Sequence, residues 1–207
     1  MKYYLSSYKF GDNLDDLKRL IPKNNKIGHI NNAQDCLGYD VERTRKSQQD
    51  QMEYLNSIGF ESESLDLRTY FHNTEALKDK ISGLGALWVS GGNAFVLRMA
   101  MRLSGFDIIF EELKTRDDFL YAGYSAGICV LSKSLKAIDQ VDDPHNFPYP
   151  EIIRPIYEGL DVFDFALLPH YDSNHYESEK IGKEIQRCID NKWLFKALRD
   201  GEVIVIE

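Results

Sequence analysis

Segments typical of β-strands alternate with segments typical of α-helices along almost the whole chain. The strand-like segments are short and almost continuously apolar, whereas the segments between them repeat their apolar residues with helical spacing. Strands separated by helices favour a parallel sheet, and continuous apolarity indicates that both faces of that sheet are buried. The pattern therefore predicts an α/β fold with three layers, a doubly wound, mostly parallel sheet with helices on both faces.

The predicted elements suit a single α/β domain spanning residues 1–207. One long irregular insertion, 139–155, contains four of the six prolines and is expected to lie over the sheet edge. Asp200-Gly201 is a strong two-residue turn signal, so 195–207 is predicted to form a C-terminal β-hairpin. The remaining strands are predicted at 2–7, 26–30, 62–67, 85–90, 119–124 and 164–169, and the helices at 11–22, 43–58, 74–81, 93–103, 126–133 and 174–189.

Composition excludes several classes of partner. The net charge of −8, with lysine and arginine spread along the chain, argues against nucleic acid, because phosphate binding needs a basic face. No apolar run approaches the roughly 18 residues of a membrane span, and the first residues lack the pattern of a signal peptide. Three widely spaced cysteines show no CxxC or Cys/His spacing, so no metal and no cofactor are expected. We therefore expect a cytoplasmic protein without nucleic-acid or membrane partners.

The stretch GYSAG places Ser125 between a predicted strand and a predicted helix, in the G-x-S-x-G pattern of a nucleophile elbow. Such a turn needs small neighbours, here Gly123 and Gly127, because a larger side chain would collide with it. The N–H of Ala126 would lie at a helix N-terminus, where it could bind an oxyanion. Alternatively, the small residues only allow a helix to pack closely on a strand.

Two further segments end predicted strands with residues suited to chemistry, at the edge where parallel sheets bind ligands. Gly91 and Gly92 would leave backbone N–H groups facing that edge. A plain turn with Asn93 as the helix N-cap explains the same residues. His170 directly ends a buried-looking strand downstream of the serine and is the candidate general base. Alternatively, His170 is only a polar residue at the edge of the sheet.

A histidine base works best when a carboxylate fixes its tautomer. Two aspartates are candidates for this role, Asp139 after the helix that follows the serine and Asp200 in the terminal turn. Asp200 also suits a plain hairpin turn, and Asp139 suits a solvated loop. Composition and spacing do not choose between them.

The order SGGNAF, GYSAG and PHY resembles the peptidase E (aspartyl dipeptidase) family of serine peptidases. The resemblance extends from the first strand to the segment LRDGEV. Its most specific part is GGN followed by GxSAG, whereas PH and DG alone are common. The fold of that family is related to the class I glutamine amidotransferases, which agrees with the architecture predicted from the alternation of elements.

The resemblance implies a role for each residue that matches the family's motifs. Ser125 would be the nucleophile and His170 the general base. Gly92 and Ala126 would form the oxyanion hole. Asp200 would be the acidic third member, because a terminal hairpin can bring it behind the imidazole.

The resemblance leaves the remaining substrate contacts less defined. Asp139 matches a family aspartate that has also been considered for a functional role. Family members bind an N-terminal aspartate through an arginine, where this chain offers Lys180 or Lys183, and lysine lacks the planar grip of arginine. Gly91 and Asn93 are further candidates for substrate contacts.

These features together predict a serine peptidase, a monomer or homodimer, that hydrolyses short peptides through an acyl-enzyme. The resemblance implies N-terminal aspartyl dipeptides as substrates. A catalytically inactive relative that binds a small ligand at the same edge is one alternative. An esterase-like hydrolase is another, disfavoured because no HGGG-type loop is present and the preferred acid follows the histidine.

Overall fold

The computed structural model describes residues Met1 to Glu207 as eight strands and seven α-helices. The strands are β1 (Lys2–Ser6), β2 (Lys26–Ile30), β3 (Glu61–Ser64), β4 (Ala86–Val89), β5 (Leu120–Tyr124), β6 (Ala166–Leu168), β7 (Phe195–Ala197) and β8 (Val203–Ile206). The helices are α1 (Leu14–Arg19), α2 (Val41–Ser57), α3 (Thr74–Ser82), α4 (Ala94–Ser104), α5 (Phe106–Leu113), α6 (Ala126–Cys129) and α7 (Ser178–Asn191). None of these helices combines the length and the apolarity that crossing a membrane requires.

Six strands form the main sheet, in the order β3-β2-β4-β5-β1-β8. The first five are parallel to one another, and β8 is antiparallel to β1. The register places Ser6 beside Tyr124 and Val89 beside Gly123. The carboxyl ends of β1, β4 and β5 therefore lie side by side, and the segments that follow these strands meet at one edge of the sheet.

Two apolar cores cover the two faces of the sheet. Neighbouring residues of β5 point into different cores, Tyr121 into the larger one and Ala122 into the smaller one. The larger core contains most of α4, and the smaller one contains Leu17 of α1 and Leu55 of α2. This confirms the predicted three layers and explains why the strands are apolar without alternation.

The C-terminal strands pair differently from a simple hairpin. The chain turns at Asp200-Gly201 between two strands, as predicted, but β8 pairs with β1 and β7 pairs with β6. The predicted strand at 164–169 corresponds to β6, which forms a separate two-stranded parallel sheet with β7. Pairing with β8 satisfies the backbone groups along the outer side of β1, which would otherwise lie open.

Two helices differ from the sequence predictions. α5 is not predicted, although its buried residues have helical spacing; they are Phe106, Ile109, Phe110 and Leu113. Gly105 separates α5 from α4 with a left-handed backbone, φ +74°, so the two helices do not share one apolar face. α6 is one turn long rather than eight residues, because the chain leaves it to form an isolated bridge between Ser132 and Phe163.

Candidate active site

Ser125 occupies the sharp turn between β5 and α6. Its backbone has φ +49° and ψ −118°, a conformation that costs a non-glycine residue on the order of 1–3 kcal/mol. The neighbouring glycines make the turn possible, since a Cβ on Gly123 or Gly127 would lie 2.6 or 2.2 Å from the carbonyl oxygen of Val89. The two glycines therefore allow the backbone of β4 to lie close to the turn that holds the strained Ser125.

The His170 ring faces the Ser125 hydroxyl. Its Nε2 lies 3.0 Å from Ser125 Oγ. His170 follows β6 with a left-handed backbone, φ +63°, and its side chain is only 2% exposed. Its backbone N–H donates to Ser7 Oγ at 2.8 Å. The ring is thus held by backbone contacts as well as by packing.

Asp200 lies behind the same ring, with Oδ1 2.7 Å from His170 Nδ1. The Ser7 hydroxyl donates to Asp200 Oδ1 at 2.9 Å, and the Asp200 N–H donates to Ser173 Oγ at 2.8 Å. A carboxylate at Nδ1 keeps the ring proton there, which leaves the Nε2 lone pair directed at the serine. Ser125, His170 and Asp200 therefore form one hydrogen-bonded chain.

Burial lowers the pKa of His170, the hydrogen bond that the ring donates to Asp200 raises it, and the charge of His175 lowers it further. The free ring is consequently neutral near pH 7, the state in which Nε2 can accept a proton.

The backbone around Gly92 and Ala126 supplies two free donors. Neither N–H makes a hydrogen bond within the protein. A Cβ on Gly91 would lie 2.9 Å from the Cβ of Ser125, so the glycine turn directly adjoins the serine. Gly92 has φ +147°, and a Cβ there would lie 2.3 Å from the carbonyl oxygen of Ala33. The geometry requires glycine at position 92, and both N–H groups are left without an acceptor in the protein.

Asn93 has the structural function that the sequence offered as an alternative. Its Oδ1 accepts the N–H groups of Phe95 and Val96 at 2.8 and 3.1 Å, as a helix N-cap does. Its Nδ2 donates to the carbonyl of Asp143 at 2.9 Å. With both polar atoms engaged in this buried cap, the Asn93 side chain shapes the turn rather than facing a substrate.

Asp139 is not brought to the histidine. Its Oδ1 lies 2.5 Å from Arg187 Nη1, and the same guanidinium pairs with Glu184 at 3.0 Å. The sequence offered Asp139 as an alternative to Asp200 for the carboxylate that contacts the histidine. The structure places Asp200 at His170 Nδ1, so Asp139 does not have that position. Asp139 instead joins its loop to α7.

The two candidate lysines lie on α7. Lys183 is exposed and pairs with Glu179 at 2.7 Å. Lys180 is exposed on the first turn and forms no ion pair. Its positive charge partly offsets the burial that raises the pKa of Glu177 and of Asp142. Of the two, only Lys180 influences groups near the serine.

His175 and Glu177 adjoin the same ring. The His175 ring stacks on the His170 ring with centroids 3.7 Å apart and planes 8° apart. Glu177 Oε2 lies 3.9 Å from His170 Nε2 and 3.7 Å from His175 Nδ1. Burial raises the pKa of the Glu177 carboxyl.

One donor atom from each of these three side chains lies within 4.8 Å of the other two, a span that could hold a metal ion. The ring planes are nearly parallel, however, so their in-plane lone pairs run side by side rather than converging on one ion. The Glu177 N–H also donates to His175 Nδ1 at 3.3 Å. As arranged, the three side chains suit a stacked acid–base group better than a metal centre.

The sequence reasoning missed Ser7, His175 and Glu177. Ser7 directly follows β1, and the rule that sites form at the carboxyl ends of parallel strands could have identified it. His175 and Glu177 are placed by the path of an irregular segment before α7, and no local pattern predicts that path.

The comparisons with known proteins agree with this fold. The sequence model of peptidase family S51 matches residues 30–207. The chain is 29% identical over 133 residues to "Uncharacterized peptidase Lmo0363" of Listeria monocytogenes. That match covers 63% of this chain and 61% of the Listeria protein. The chain is 25% identical over 140 residues to "Peptidase E" of Shewanella denitrificans, 66% of this chain and 55% of that protein.

A solved structure from Listeria monocytogenes EGD-e, which bears a provisional peptidase E name, superposes with a TM-score of 0.74. The sequences are 22% identical, and the match covers 100% of this chain and 98% of the other. In the sequence comparisons, by contrast, the chain matches only about 55–61% of the length of the two curated relatives. Because the family model covers most of the sequence, the chain belongs to peptidase family S51.

Proposed function

We propose that this protein is a serine peptidase that cleaves short peptides through an acyl-enzyme. The observation that carries the proposal is the contact of 3.0 Å between Ser125 Oγ and His170 Nε2, with Asp200 Oδ1 2.7 Å from the other ring nitrogen. The unbonded N–H groups of Gly92 and Ala126 add to it. Membership of peptidase family S51 supports the same reaction class. The strained backbone of Ser125 is consistent with a residue held for chemistry rather than for packing.

Each proposed step uses a group already in contact. His170 Nε2 accepts the proton of the Ser125 hydroxyl while Oγ attacks the scissile carbonyl carbon. The resulting oxyanion receives hydrogen bonds from the N–H groups of Gly92 and Ala126. His170 then gives the proton to the departing amine, the C–N bond breaks, and an acyl-enzyme remains. Water, deprotonated by the same nitrogen, hydrolyses the ester and restores the serine.

Asp200 is proposed to support the base without accepting its proton. Its carboxylate stabilises the imidazolium that forms during attack and fixes the tautomer before it. Ser7 holds one oxygen of that carboxylate, so the orientation of Asp200 does not depend on the histidine alone.

We further propose that an N-terminal aspartate is not required. Lys183 is paired with Glu179 on the surface. The charge of Lys180 acts on Glu177 and Asp142 within the protein, and a lysine lacks the planar two-pronged grip of an arginine. The Glu177 carboxylate lies 3.9 Å from His170 Nε2, where it would repel an acidic substrate side chain. Short peptides with neutral first residues therefore fit the charges at this site at least as well as aspartyl peptides.

The test combines a fluorophosphonate probe with dipeptides that differ in the first residue. The wild type is expected to be labelled and to hydrolyse Ala-X dipeptides at least as fast as Asp-X dipeptides. Ser125→Ala should abolish labelling and hydrolysis, whereas Ser57→Ala, a change at an exposed serine of α2, should preserve both. Folded wild-type protein that neither reacts nor cleaves any peptide would instead favour a binding protein, and labelling with ester cleavage only would favour an esterase.

A further inference from the structure

The ring of His175 lies flat on the ring of the base, His170. The centroid distance of 3.7 Å and the interplanar angle of 8° describe a full face-to-face stack. Both rings are largely enclosed, with exposed side-chain fractions of 12% for His175 and 2% for His170. The proposed catalytic scheme uses His170 and gives His175 no part, so the stack requires its own explanation.

Groups from three segments surround the stacked rings. Tyr8, from the segment after β1, contacts both rings edge-on, with centroids 5.8 Å from His170 and 5.5 Å from His175. Tyr176 covers the outer face of His175 at 4.5 Å. The facing carboxylate is Glu177, 3.7 Å from His175 Nδ1. Asp200 is the carboxylate nearest to the pair, with Oδ1 2.7 Å from His170 Nδ1. Lys180 and Asp142 act on the pair through Glu177.

A backbone hydrogen bond determines the tautomer of neutral His175. The Glu177 N–H donates to His175 Nδ1 at 3.3 Å, so the ring proton of neutral His175 lies on Nε2. In that form the ring offers its π face to His170. A cation over an aromatic face is attracted to it, so neutral His175 favours the imidazolium that His170 becomes during attack.

A protonated His175 has the opposite effect. Two positive rings stacked at 3.7 Å repel each other strongly in an enclosed site. A charge on His175 therefore lowers the pKa of the ring stacked on it, His170.

We propose that His175 is a positioning residue of the active site: it holds the plane of the His170 ring and couples the protonation of that ring to its own. The consequence is a base whose plane and proton affinity both depend on the ring stacked on it. The labelling measurement below rests on the proposed function, whereas the titration does not.

The first measurement is a titration of the histidine ring resonances by nitrogen-edited NMR, which requires no substrate. His175→Phe retains a flat ring and removes its charge. The His170 midpoint is expected to move to higher pH in this variant, because the like charge that lowers its pKa is gone. His72→Asn is the matched control: it removes an exposed histidine with φ +60°, which asparagine tolerates, and should leave the His170 midpoint unchanged.

The second measurement is the pH dependence of fluorophosphonate labelling. The acidic limb of His175→Phe should lie at higher pH than that of the wild type, in step with the His170 midpoint, with a plateau rate within about twofold of wild type. His175→Asn keeps an acceptor for the Glu177 N–H but loses the stacked ring. Its plateau rate should fall on the order of tenfold, since His170 is no longer held in plane.

The outcomes separate this inference from the proposed function. An unchanged His170 midpoint in His175→Phe would overturn the coupling, and a wild-type plateau in His175→Asn would overturn the positioning. Wild-type protein that shows the coupled titration but no labelling would contradict the peptidase reaction and leave the coupling of the two rings standing.

Discussion

Ser7 and Asp200 control which nitrogen of His170 carries the proton. Ser7 Oγ accepts the His170 N–H and donates to Asp200 Oδ1, so one hydroxyl links the backbone of the base to its carboxylate. Asp200 in turn accepts from Nδ1. Because a carboxylate at Nδ1 can only accept, the ring proton of neutral His170 lies on Nδ1 before a substrate binds.

Asp200→Asn is expected to reduce the rate of peptide hydrolysis by roughly 10³-fold or more, since an amide can donate to Nδ1 and leave the ring proton on Nε2. Steady-state hydrolysis of the best dipeptide measures this. Asp139→Asn is the matched change at the other candidate. Loss of its pairing with Arg187 should lower stability but keep hydrolysis within about threefold of wild type. A larger effect of Asp139→Asn than of Asp200→Asn would reverse the assignment of the third residue.

At the scale of elements, glycines decide where helices end and how closely they pack. Gly105 is the only residue between α4 and α5, and its left-handed backbone redirects the chain. A Cβ there would lie 2.0 Å from Thr74 Oγ1 at the start of α3, so the joint also fixes a third helix. Gly182, by contrast, lies inside α7, and a Cβ there would meet no atom within 4 Å.

The same substitution should therefore have opposite effects at the two sites. Gly105→Ala is expected to destabilise the protein by about 1–3 kcal/mol, through its positive φ and the clash with Thr74. Gly182→Ala should stabilise it by about 0.5–1 kcal/mol, because alanine loses less backbone entropy in a helix. Urea unfolding measures both changes. Equal effects of the two substitutions would show that the α4–α5 joint adapts to a side chain.

At the scale of the whole molecule, the alternation of elements was enough to predict the layers and the edge where the site lies. Parallel strands have their carboxyl ends at one edge of the sheet, so the sequence alone predicts that Ser125, Gly92 and His170 lie near one another. The choice between Asp139 and Asp200 could not be made in this way. It depends on β8 pairing with β1, a contact between the two ends of the chain that local patterns do not encode.

Other features were beyond local patterns for different reasons. α5 follows a left-handed glycine, which interrupts the spacing by which helices are recognised. The stack of His175 on His170 depends on the irregular path from Tyr171 to Glu177, where no periodicity applies. Sequence reasoning thus located Ser125 and His170 at the ends of strands and offered Asp200 in the terminal turn, but it missed Ser7 after β1 and the two residues of the irregular segment, His175 and Glu177.

Two buried groups, His29 and Asp142, contribute to the pH dependence of folding stability in opposite directions. Burial lowers the pKa of His29 to about 3, so stability is lost as the pH falls from the ordinary histidine range toward 3. Burial raises the pKa of Asp142 to about 8, while the unfolded carboxyl is already ionised above its ordinary pKa. The contribution of Asp142 is therefore lost as the pH rises toward 8, and the folded state is favoured at intermediate pH.

Asp142→Asn should remove the alkaline part of this dependence. The amide oxygen can still accept the Ala94 N–H, which Asp142 Oδ2 accepts at 2.8 Å, and it carries no charge at any pH. Between pH 6 and pH 8.5 the wild type should lose about 1–2 kcal/mol more unfolding free energy than this variant, as measured by urea denaturation. Burial, the main cause of the raised pKa values of the three buried thiols, is the same in both proteins, so most of their effect at high pH cancels in the difference. Asp143→Asn, at the exposed neighbour, should follow the wild type, and the same behaviour in Asp142→Asn would mean that the carboxylate is already ionised in the folded protein at pH 6.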